Sequence, residues 1–340
     1  MKKVREVLLE LQPYINSAPI SHGDAHNQAC TNDNATIDRW SQQWLSQIRS
    51  NHASYGPFSK RSVGSLYGEI QGSPTVIVGS GPSLKENAHL LVEKPENIRI
   101  ISCLHNFHYL EDLGVDVDFY VTLDAGELTI DEISEGGLKS EDEYFELTKD
   151  KKLLAFIGTH PKLLEKWQGE IYFFNAPVPD EAYTKQVDEI EPFHIYVESG
   201  GNVLGASLML AKGILGSQIS IFIGADFAFS DSEKTSFHAW DSKYDKDLGH
   251  YIMVPSIFGH RIRTWQSYYN FKLWFDVVAQ RIPGIYINAT ENGCLGAYRE
   301  GNLCHIRQMT LKECLHMFSI HTIKKSACLD PSNDRRIILI

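Results

Sequence analysis

The sequence predicts an α/β fold, in which helices cover both faces of a doubly wound, mostly parallel sheet and a helical appendage precedes the sheet. From residue 71 onward, short runs rich in β-branched residues alternate with segments of helical periodicity. The strand-like runs are apolar almost throughout, which is typical of parallel strands buried on both faces. The chain has 340 residues, of which 43% are hydrophobic, and is long enough to bury such a core.

The first 70 residues lack this alternation. Apolar residues at helical spacing predict one helix over residues 4–11 and another over 38–48, with a polar loop over 17–34 between them. We therefore divide the chain into an N-terminal helical appendage (1–70), an α/β domain (71–320) and a C-terminal tail (321–340).

Seven strands and six helices are predicted after residue 70, and the charged segment 127–152 is predicted to be a solvated excursion from the sheet. In such a Rossmann-like sheet, ligands bind at the carboxyl ends of the strands, near the point where the strand order reverses. The predicted strands are 75–78, 98–102, 119–123, 153–158, 171–174, 219–223 and 284–287, and the predicted helices are 84–93, 105–113, 160–167, 202–215, 264–281 and 310–319.

Composition excludes several classes of partner. The net charge of −11 argues against a nucleic-acid-binding surface, which is normally basic. The longest apolar stretch, residues 203–211, is far shorter than the roughly 20 residues of a membrane span. Glu6 and Glu10 interrupt the N-terminal apolar stretch, which argues against a secretory signal. The six cysteines are scattered without a metal-binding spacing, so we expect reduced thiols and a cytoplasmic protein.

A glycine-rich corner follows the first predicted strand, in the stretch TVIVGSGPSLKEN (75–87). Gly79 and Gly81 allow a sharp turn and close approach of the backbone to a bound group. Pro82 favours a helix start, and Ser83 with Glu86 fits a capping box. Backbone amides at such a helix start favour a phosphate, so we predict that Gly79, Ser80, Gly81, Pro82 and Ser83 hold the phosphates of a nucleotide donor. A tight turn that serves only the fold is the alternative.

The corner matches neither of two familiar phosphate-binding motifs. A dinucleotide fingerprint requires a third glycine where Leu84 stands. The Gly-Lys-Ser/Thr ending of a P-loop is also missing.

The string VIVGSGPSLKEN resembles the MptE-like domain family, which is named after an archaeal 6-hydroxymethylpterin diphosphokinase and includes bacterial motility accessory factors implicated in attaching nonulosonic sugars to flagellin. The corner is also similar to the cytidine-nucleotide loop of bacterial sialyltransferases. The resemblance continues through SCLHNFHYLEDLG (102–114), DVDFYVTLDAG (116–126), the segment 199–230 and INATENGC (287–294), and so covers roughly residues 70–295. It is more specific for the family than for the reaction, because members transfer unlike groups.

Two aspartates end apolar strands. Asp124 follows FYVTL and Asp226 follows IFIGA. Carboxylates at the ends of neighbouring parallel strands can share Mg²⁺, bind a ribose or divide into a ligand and a base. We therefore predict Asp124 as a nucleotide ligand, Asp226 as a catalytic residue, and both as metal ligands if the reaction needs Mg²⁺. Capping of the following turns is the alternative for each.

Three further positions are candidate site residues. Asn106 follows the second strand, and the resemblance to sialyltransferases implies a nucleotide contact for it. Ser199, Gly200 and Gly201 form a second glycine corner, which either binds the ligand through backbone amides or allows close helix–sheet packing. His238 lies in a polar segment that is predicted to form a lid, and its ordinary pKa of ~6.5 suits a general base.

Together these features predict a nucleotide-dependent transferase that acts on a hydroxyl-bearing acceptor. The resemblance implies, first, a glycosyltransferase with a CMP-activated, nonulosonic-type sugar donor. The alternatives are a Mg-ATP-dependent pyrophosphokinase of a pterin-like alcohol and a non-catalytic nucleotide- or sugar-binding accessory protein in surface-glycan or flagellin modification. Mg²⁺ is required by the ATP reaction, whereas a CMP-sugar donor does not depend on it.

Overall fold

The predicted α/β fold is confirmed by the computed structural model of the protein, which describes residues 22–178, 180–192, 195–230, 251–297, 305–320 and 338–339. Twelve strands are found in these ranges, and all seven predicted strands are among them. The strands are β1 (Pro74–Val78), β2 (Arg99–Cys103), β3 (Phe119–Thr122), β4 (Lys152–Phe156), β5 (Glu170–Phe174), β6 (Tyr196–Val197), β7 (Ile219–Ile223), β8 (Ile252–Pro255), β9 (Arg261–Thr264), β10 (Ile285–Asn288), β11 (Ile306–Gln308) and β12 (Ile338–Leu339).

Ten α-helices connect and cover the described strands. Short 3₁₀ segments precede or extend several of them, and a π-helical segment, Leu210–Ile214, continues α8. The helices are α1 (His22–Tyr55), α2 (Leu84–Asn87), α3 (Phe107–Leu113), α4 (Leu128–Asp131), α5 (Glu141–Leu147), α6 (Pro161–Lys166), α7 (Glu181–Ile190), α8 (Val203–Met209), α9 (Gln266–Arg281) and α10 (Leu311–Ile320).

The main sheet has eight strands in the order β11-β10-β7-β1-β2-β3-β4-β5, and every neighbouring pair is parallel. From β1 the chain builds outward through β2, β3, β4 and β5, and β7, β10 and β11 extend the sheet on the other side. The strand order therefore reverses between β1 and β7, where a doubly wound sheet opens its ligand crevice. Both strands are buried along their whole length.

Two predictions for the helical segments are wrong. The loop expected over 17–34 is helical from residue 22 onward, because a polar composition alone does not exclude a helix. The expected excursion over 127–152 contains α4 and α5, and Ile133, Tyr144 and Phe145 are buried in the main core.

The C-terminal half of α1 packs on the sheet domain. Leu45 and Ile48 belong to the main hydrophobic core. The buried Asn51 side chain donates to the carbonyls of Ile157 and Thr159, at 2.9 and 2.8 Å, just beyond the end of β4. The division at residue 70 stays a prediction, but this helix shares its core with the sheet.

No helix in the described ranges is long and apolar enough to cross a membrane.

Candidate functional site

The glycine corner joins β1 to the end of β7 at the point where the strand order reverses. The Gly79 amide donates to the Ile223 carbonyl at 2.9 Å, and the Gly81 amide donates to the Gly224 carbonyl at 2.8 Å. A Cβ on Gly79 or Gly81 would lie 2.5 or 2.7 Å from the Gly224 oxygen, closer than side chains tolerate. Both glycines are thus required for the close approach of two backbones. Ser80, Gly81 and Pro82 remain half-buried and accessible at the edge.

Ser83 bonds to Asp226 and does not cap a helix, so the predicted capping box with Glu86 is wrong. Its hydroxyl donates to Asp226 Oδ2 at 2.7 Å, and it makes no cap hydrogen bond to α2, which is only four residues long. The Asp226 carboxylate is 2% exposed and lies where a Cβ on Gly81 would collide with it. The space that the sequence assigns to a phosphate beside Gly81 therefore holds a protein carboxylate.

The burial of Asp226 changes its acidity. Burial raises its pKa from 3.8 to about 7, although hydrogen bonds from the Ser83 hydroxyl and amide act in the opposite direction. Near neutral pH this carboxyl group can therefore either hold or accept a proton, which is the property that general acid–base catalysis requires.

The turn after β10 packs against the residues that follow β7, next to the glycine corner. The Thr290 hydroxyl accepts from the Ala225 amide at 3.1 Å, and the Cys294 amide donates to the Asp226 carbonyl at 2.9 Å. The Thr290 side chain and the Cys294 backbone thus hold this turn against the end of β7.

Asn106 fixes the corner from the side of β2. Its amide nitrogen lies 3.2 Å from the carbonyls of both Val78 and Gly79, and 3.1 Å from Ser102 Oγ. The residue is fully buried, and its Oδ1 has no hydrogen-bond donor among the described residues. The structure therefore shows Asn106 as a positioning residue, with one acceptor oxygen left for another group.

Asp124 and Asp226 are not brought together. β3 and β7 are separated by β1 and β2, so their ends lie about 14 Å apart at ~4.8 Å per strand. Asp124 is exposed, and its Oδ1 accepts from the Gly126 amide at 2.7 Å, as in a turn cap. The two carboxylates do not fit a shared Mg²⁺, and the described part of the chain contains no cluster of three or more His, Cys, Asp or Glu residues that could hold a metal.

The family model described as "6-hydroxymethylpterin diphosphokinase MptE-like" matches residues 49–232, more than half of the chain. The chain belongs to the MptE-like family. The matched range contains every predicted site residue except His238. It begins within α1, so the MptE-like part of the chain includes the turns of that helix that carry Asn51.

A solved structure titled "Structure of MAf glycosyltransferase from Magnetospirillum magneticum AMB-1" shares the fold. The TM-score is 0.52 at 15% sequence identity, over 81% of this MptE-like chain and 41% of the other. This chain therefore spans less than half the length of that protein. No curated protein matches the sequence.

The second glycine corner of the MptE-like segment is tightly packed. Gly200 and Gly201 have φ of +58° and +87°, which favour glycine. A Cβ on Gly200 would collide with Trp274 of α9, and one on Gly201 would lie 2.8 Å from Phe271. Close packing accounts for both glycines, and the ligand role of Ser199, Gly200 and Gly201 stays a prediction.

His238, the predicted general base, lies outside the described residues. Its role as a base and the lid around it therefore stay predictions.

Two other histidines, His105 and His108, follow β2 and are described by the structure. His105 Nδ1 lies 3.1 Å from Glu132 Oε2, and burial lowers the pKa of His108 to about 4, so that it is neutral at pH 7. Both histidines thus have ordinary structural environments.

Sequence analysis missed the contact between Ser83 and Asp226 and the role of Asn87. The Asn87 amide bridges α2 to the β10 turn, donating to the Ala289 carbonyl at 2.9 Å and to Glu291 Oε1 at 3.2 Å. No local signal reveals contacts between residues more than 140 positions apart. They become predictable only when the order of the strands is known.

Proposed function

We propose that this MptE-like chain is a nucleotide-dependent glycosyltransferase with a CMP-activated, nonulosonic-type sugar donor. The observation that carries the proposal is the contact of Ser83 with the buried Asp226 at the reversal of strand order. Membership of the family and a fold shared with a protein titled a glycosyltransferase support it.

The donor would bind at the carboxyl edge of β1, with its phosphate against the half-buried residues Ser80 and Pro82, because the Asp226 carboxylate occupies the space beside Gly81. A buried acceptor without a partner costs roughly 1–3 kcal/mol. An amino or hydroxyl group of the nucleotide that donates to Asn106 Oδ1 would remove this cost. Asp124, exposed beyond β3, remains the proposed partner of the ribose hydroxyls.

Asp226 would act as the general base. As the acceptor oxygen bonds to the anomeric carbon, its proton passes to the Asp226 carboxylate. The bond from that carbon to the donor phosphate breaks, and its electron pair leaves with the nucleoside monophosphate. A pKa of about 7 suits this transfer at neutral pH. His238 is the second candidate base.

Two alternatives each have one observation in their favour. The family description names a diphosphokinase, which favours pyrophosphoryl transfer from ATP to a pterin-like alcohol. Its Mg²⁺ would need ligands other than Asp124 with Asp226. A non-catalytic accessory protein is favoured by the amides of Gly79 and Gly81, which are already bonded within the fold.

A thermal-shift panel of CMP, CDP, UDP, GDP and ATP, each with and without Mg²⁺, tests the proposal. We expect CMP to raise the melting temperature by a few degrees without metal, since saturation at 100 times Kd adds about 2.7 kcal/mol. Ser80→Asp should weaken the binding of CMP at least tenfold, because it places a carboxylate against the phosphate, and should therefore reduce the rise in melting temperature. Ser50→Asp, on the exposed side of α1, is the matched control.

The other outcomes separate the alternatives. A response to ATP that requires Mg²⁺ would replace the proposal by the diphosphokinase. CMP binding with transfer activity unchanged in both Asp226→Asn and His238→Ala would contradict the assigned chemistry. No response to any nucleotide would overturn the donor site.

A further inference from the structure

Asp226 is followed by a residue in a backbone conformation that its type rarely adopts. Within the described part of the chain, two non-glycine residues have left-handed φ angles, Phe227 at +48° and Glu291 at +63°. Phe227 comes directly after Asp226, and Glu291 lies in the turn after β10. A left-handed φ is a genuine outlier for a bulky side chain such as that of phenylalanine, and it persists only where the surrounding structure enforces it.

The hairpin of β8 and β9 supplies one enforcing contact through Thr264, the last residue of β9. The Thr264 hydroxyl donates to the Phe227 carbonyl at 2.6 Å, and Thr264 is fully buried. Nearby, the Phe229 amide donates to the Arg263 carbonyl at 2.9 Å. The hairpin therefore runs alongside the residues that follow Asp226 and fixes the orientation of the Phe227 carbonyl.

The turn after β10 and helix α9 hold the same backbone from other sides. The Cys294 amide donates to the Asp226 carbonyl at 2.9 Å, and the Cys294 thiol lies 3.4 Å from the Phe227 carbonyl oxygen. A Cβ on Gly293 would collide with the backbone of Asp226. The Phe227 ring packs on Phe275 of α9, with ring centroids 5.3 Å apart. These contacts fix both peptide groups that flank Phe227.

The left-handed conformation of Phe227 matters for Asp226. A change to the usual negative φ would rotate the peptide group between the two residues and break its hydrogen bond to the Cys294 amide. Asp226 would then lose an attachment to the turn after β10, and water would gain access to its carboxylate.

We propose that Thr264 and Phe227 are positioning residues, which act through the backbone to hold the Asp226 carboxylate in its buried place beside Gly81. As a contribution to catalysis this inference rests on the proposed function. Its effect on the acidity of Asp226, however, is measured without any donor or acceptor.

That acidity reports whether the carboxylate stays buried. Burial raises the pKa of Asp226 to about 7, so access of water should return the pKa toward 3.8. The carboxylate faces the uncharged Ser83 and interacts with the Cys294 thiol, whose pKa is raised by burial to about 12, so that the thiol is neutral near pH 7. Lys272 and Asp276 of α9 act on Cys294 and pair with each other. Comparison with Asp226→Asn in the same background isolates the titration of Asp226 from these groups.

Urea denaturation of Asp226→Asn in several backgrounds tests the role of Thr264. In the wild type, the substitution should stabilise the protein more at pH 7.5 than at pH 4. In Thr264→Val, which removes the hydroxyl, this pH-dependent gain should shrink at least about fivefold in the unfolding equilibrium constant, whereas Thr264→Ser should keep it. Thr75→Val is the matched control and should also keep it, because Thr75 is equally buried and its hydroxyl bonds to Ser217, at the amino end of β1.

Phe227 provides a second test that does not depend on Thr264. Alanine normally gives a more stable protein than glycine, because glycine has more conformational freedom in the unfolded chain. At Phe227 the order should reverse, since only glycine adopts a left-handed φ without strain. Both substitutions remove the ring, and Phe227→Gly should melt roughly 1–3 °C above Phe227→Ala.

Three results would overturn the inference: no pH-dependent gain from Asp226→Asn in the wild type, an equal gain in the wild type and in Thr264→Val, or a higher melting temperature for Phe227→Ala than for Phe227→Gly. A failure of the proposed function looks different. Transfer activity that is unchanged by Asp226→Asn, together with the expected titration results, would remove Asp226 as the base and leave the positioning by Thr264 and Phe227 intact.

Discussion

Asp226 shows how a single residue acquires a property that its sequence neighbourhood does not determine. Its position after an apolar strand predicts a carboxylate at the sheet edge. The structure adds complete burial and one hydroxyl partner, Ser83. The hydroxyl and amide of Ser83 do not replace the hydration that a carboxylate loses, so the neutral form is favoured and the pKa rises to about 7.

The acidity of Asp226 predicts a specific pH dependence of stability. A raised pKa means that the folded protein holds this proton between about pH 4 and 7 while the unfolded chain releases it. The contribution of the protonated Asp226 to the stability of the folded protein is therefore complete below about pH 4. It is lost as the pH rises through 7. Asp226→Asn imitates the protonated group, so it should be more stable than the wild type at pH 7.5, by on the order of 1–3 kcal/mol, and equal to it near pH 4.

Urea denaturation at several pH values measures this difference. Asp124→Asn is the control, because Asp124 is exposed. If the free energy of unfolding of Asp226→Asn follows the same pH dependence as that of the wild type, Asp226 is not the buried acid described above.

At the scale of elements, one local pattern has two different outcomes. Within the described residues, the sequence Ser-x-x-Glu occurs at Ser83–Glu86 and at Ser140–Glu143. At Ser140 the reciprocal capping box forms and starts α5, a helix that the sequence analysis did not predict. At Ser83 it does not form, because the hydroxyl bonds to Asp226. Local capping signals therefore depend on whether a distant partner competes for the side chain.

The seven predicted strands agree with the structure to within about two residues at each end, because apolar runs rich in β-branched residues indicate burial on both faces. The short strands β6, β11 and β12 were not predicted. The hairpin of β8 and β9 was missed, since Ile252–Pro255 and Arg261–Thr264 are short and contain three buried residues between them. α7 was missed as well, although Asp180 caps it by accepting from the Tyr183 amide.

The docking of α1 predicts the effect of one substitution. Asn51→Ala removes two buried hydrogen bonds and leaves the carbonyls of Ile157 and Thr159 without these donors. We expect a loss of roughly 1–3 kcal/mol in the free energy of unfolding, measured by urea denaturation. Ser50→Ala, at the adjacent exposed position, should change it by less than about 0.5 kcal/mol. Equal effects of the two would show that α1 is not held by Asn51.

At the scale of the whole molecule, the sequence predicts the edge of the sheet that carries the site but not the arrangement along it. Parallel strands place Asp124, Asn106, Gly79–Ser83 and Asp226 at one edge, as expected. Strand order depends on contacts far apart in sequence, so the separation of β3 from β7 was not predictable. That separation removes the shared Mg²⁺ site and leaves the Ser83–Asp226 contact as the centre of the proposed chemistry.

The proposed function depends above all on a nucleotide phosphate binding where β1 meets β7. A crystal structure of the protein with CMP measures this directly. We predict phosphate density against Ser80 and Pro82, with the base or ribose within hydrogen-bond distance of Asn106 Oδ1. Nucleotide density elsewhere on the protein, with the Ser83–Asp226 contact intact and no ligand at residues 79–83, would contradict the proposed donor site.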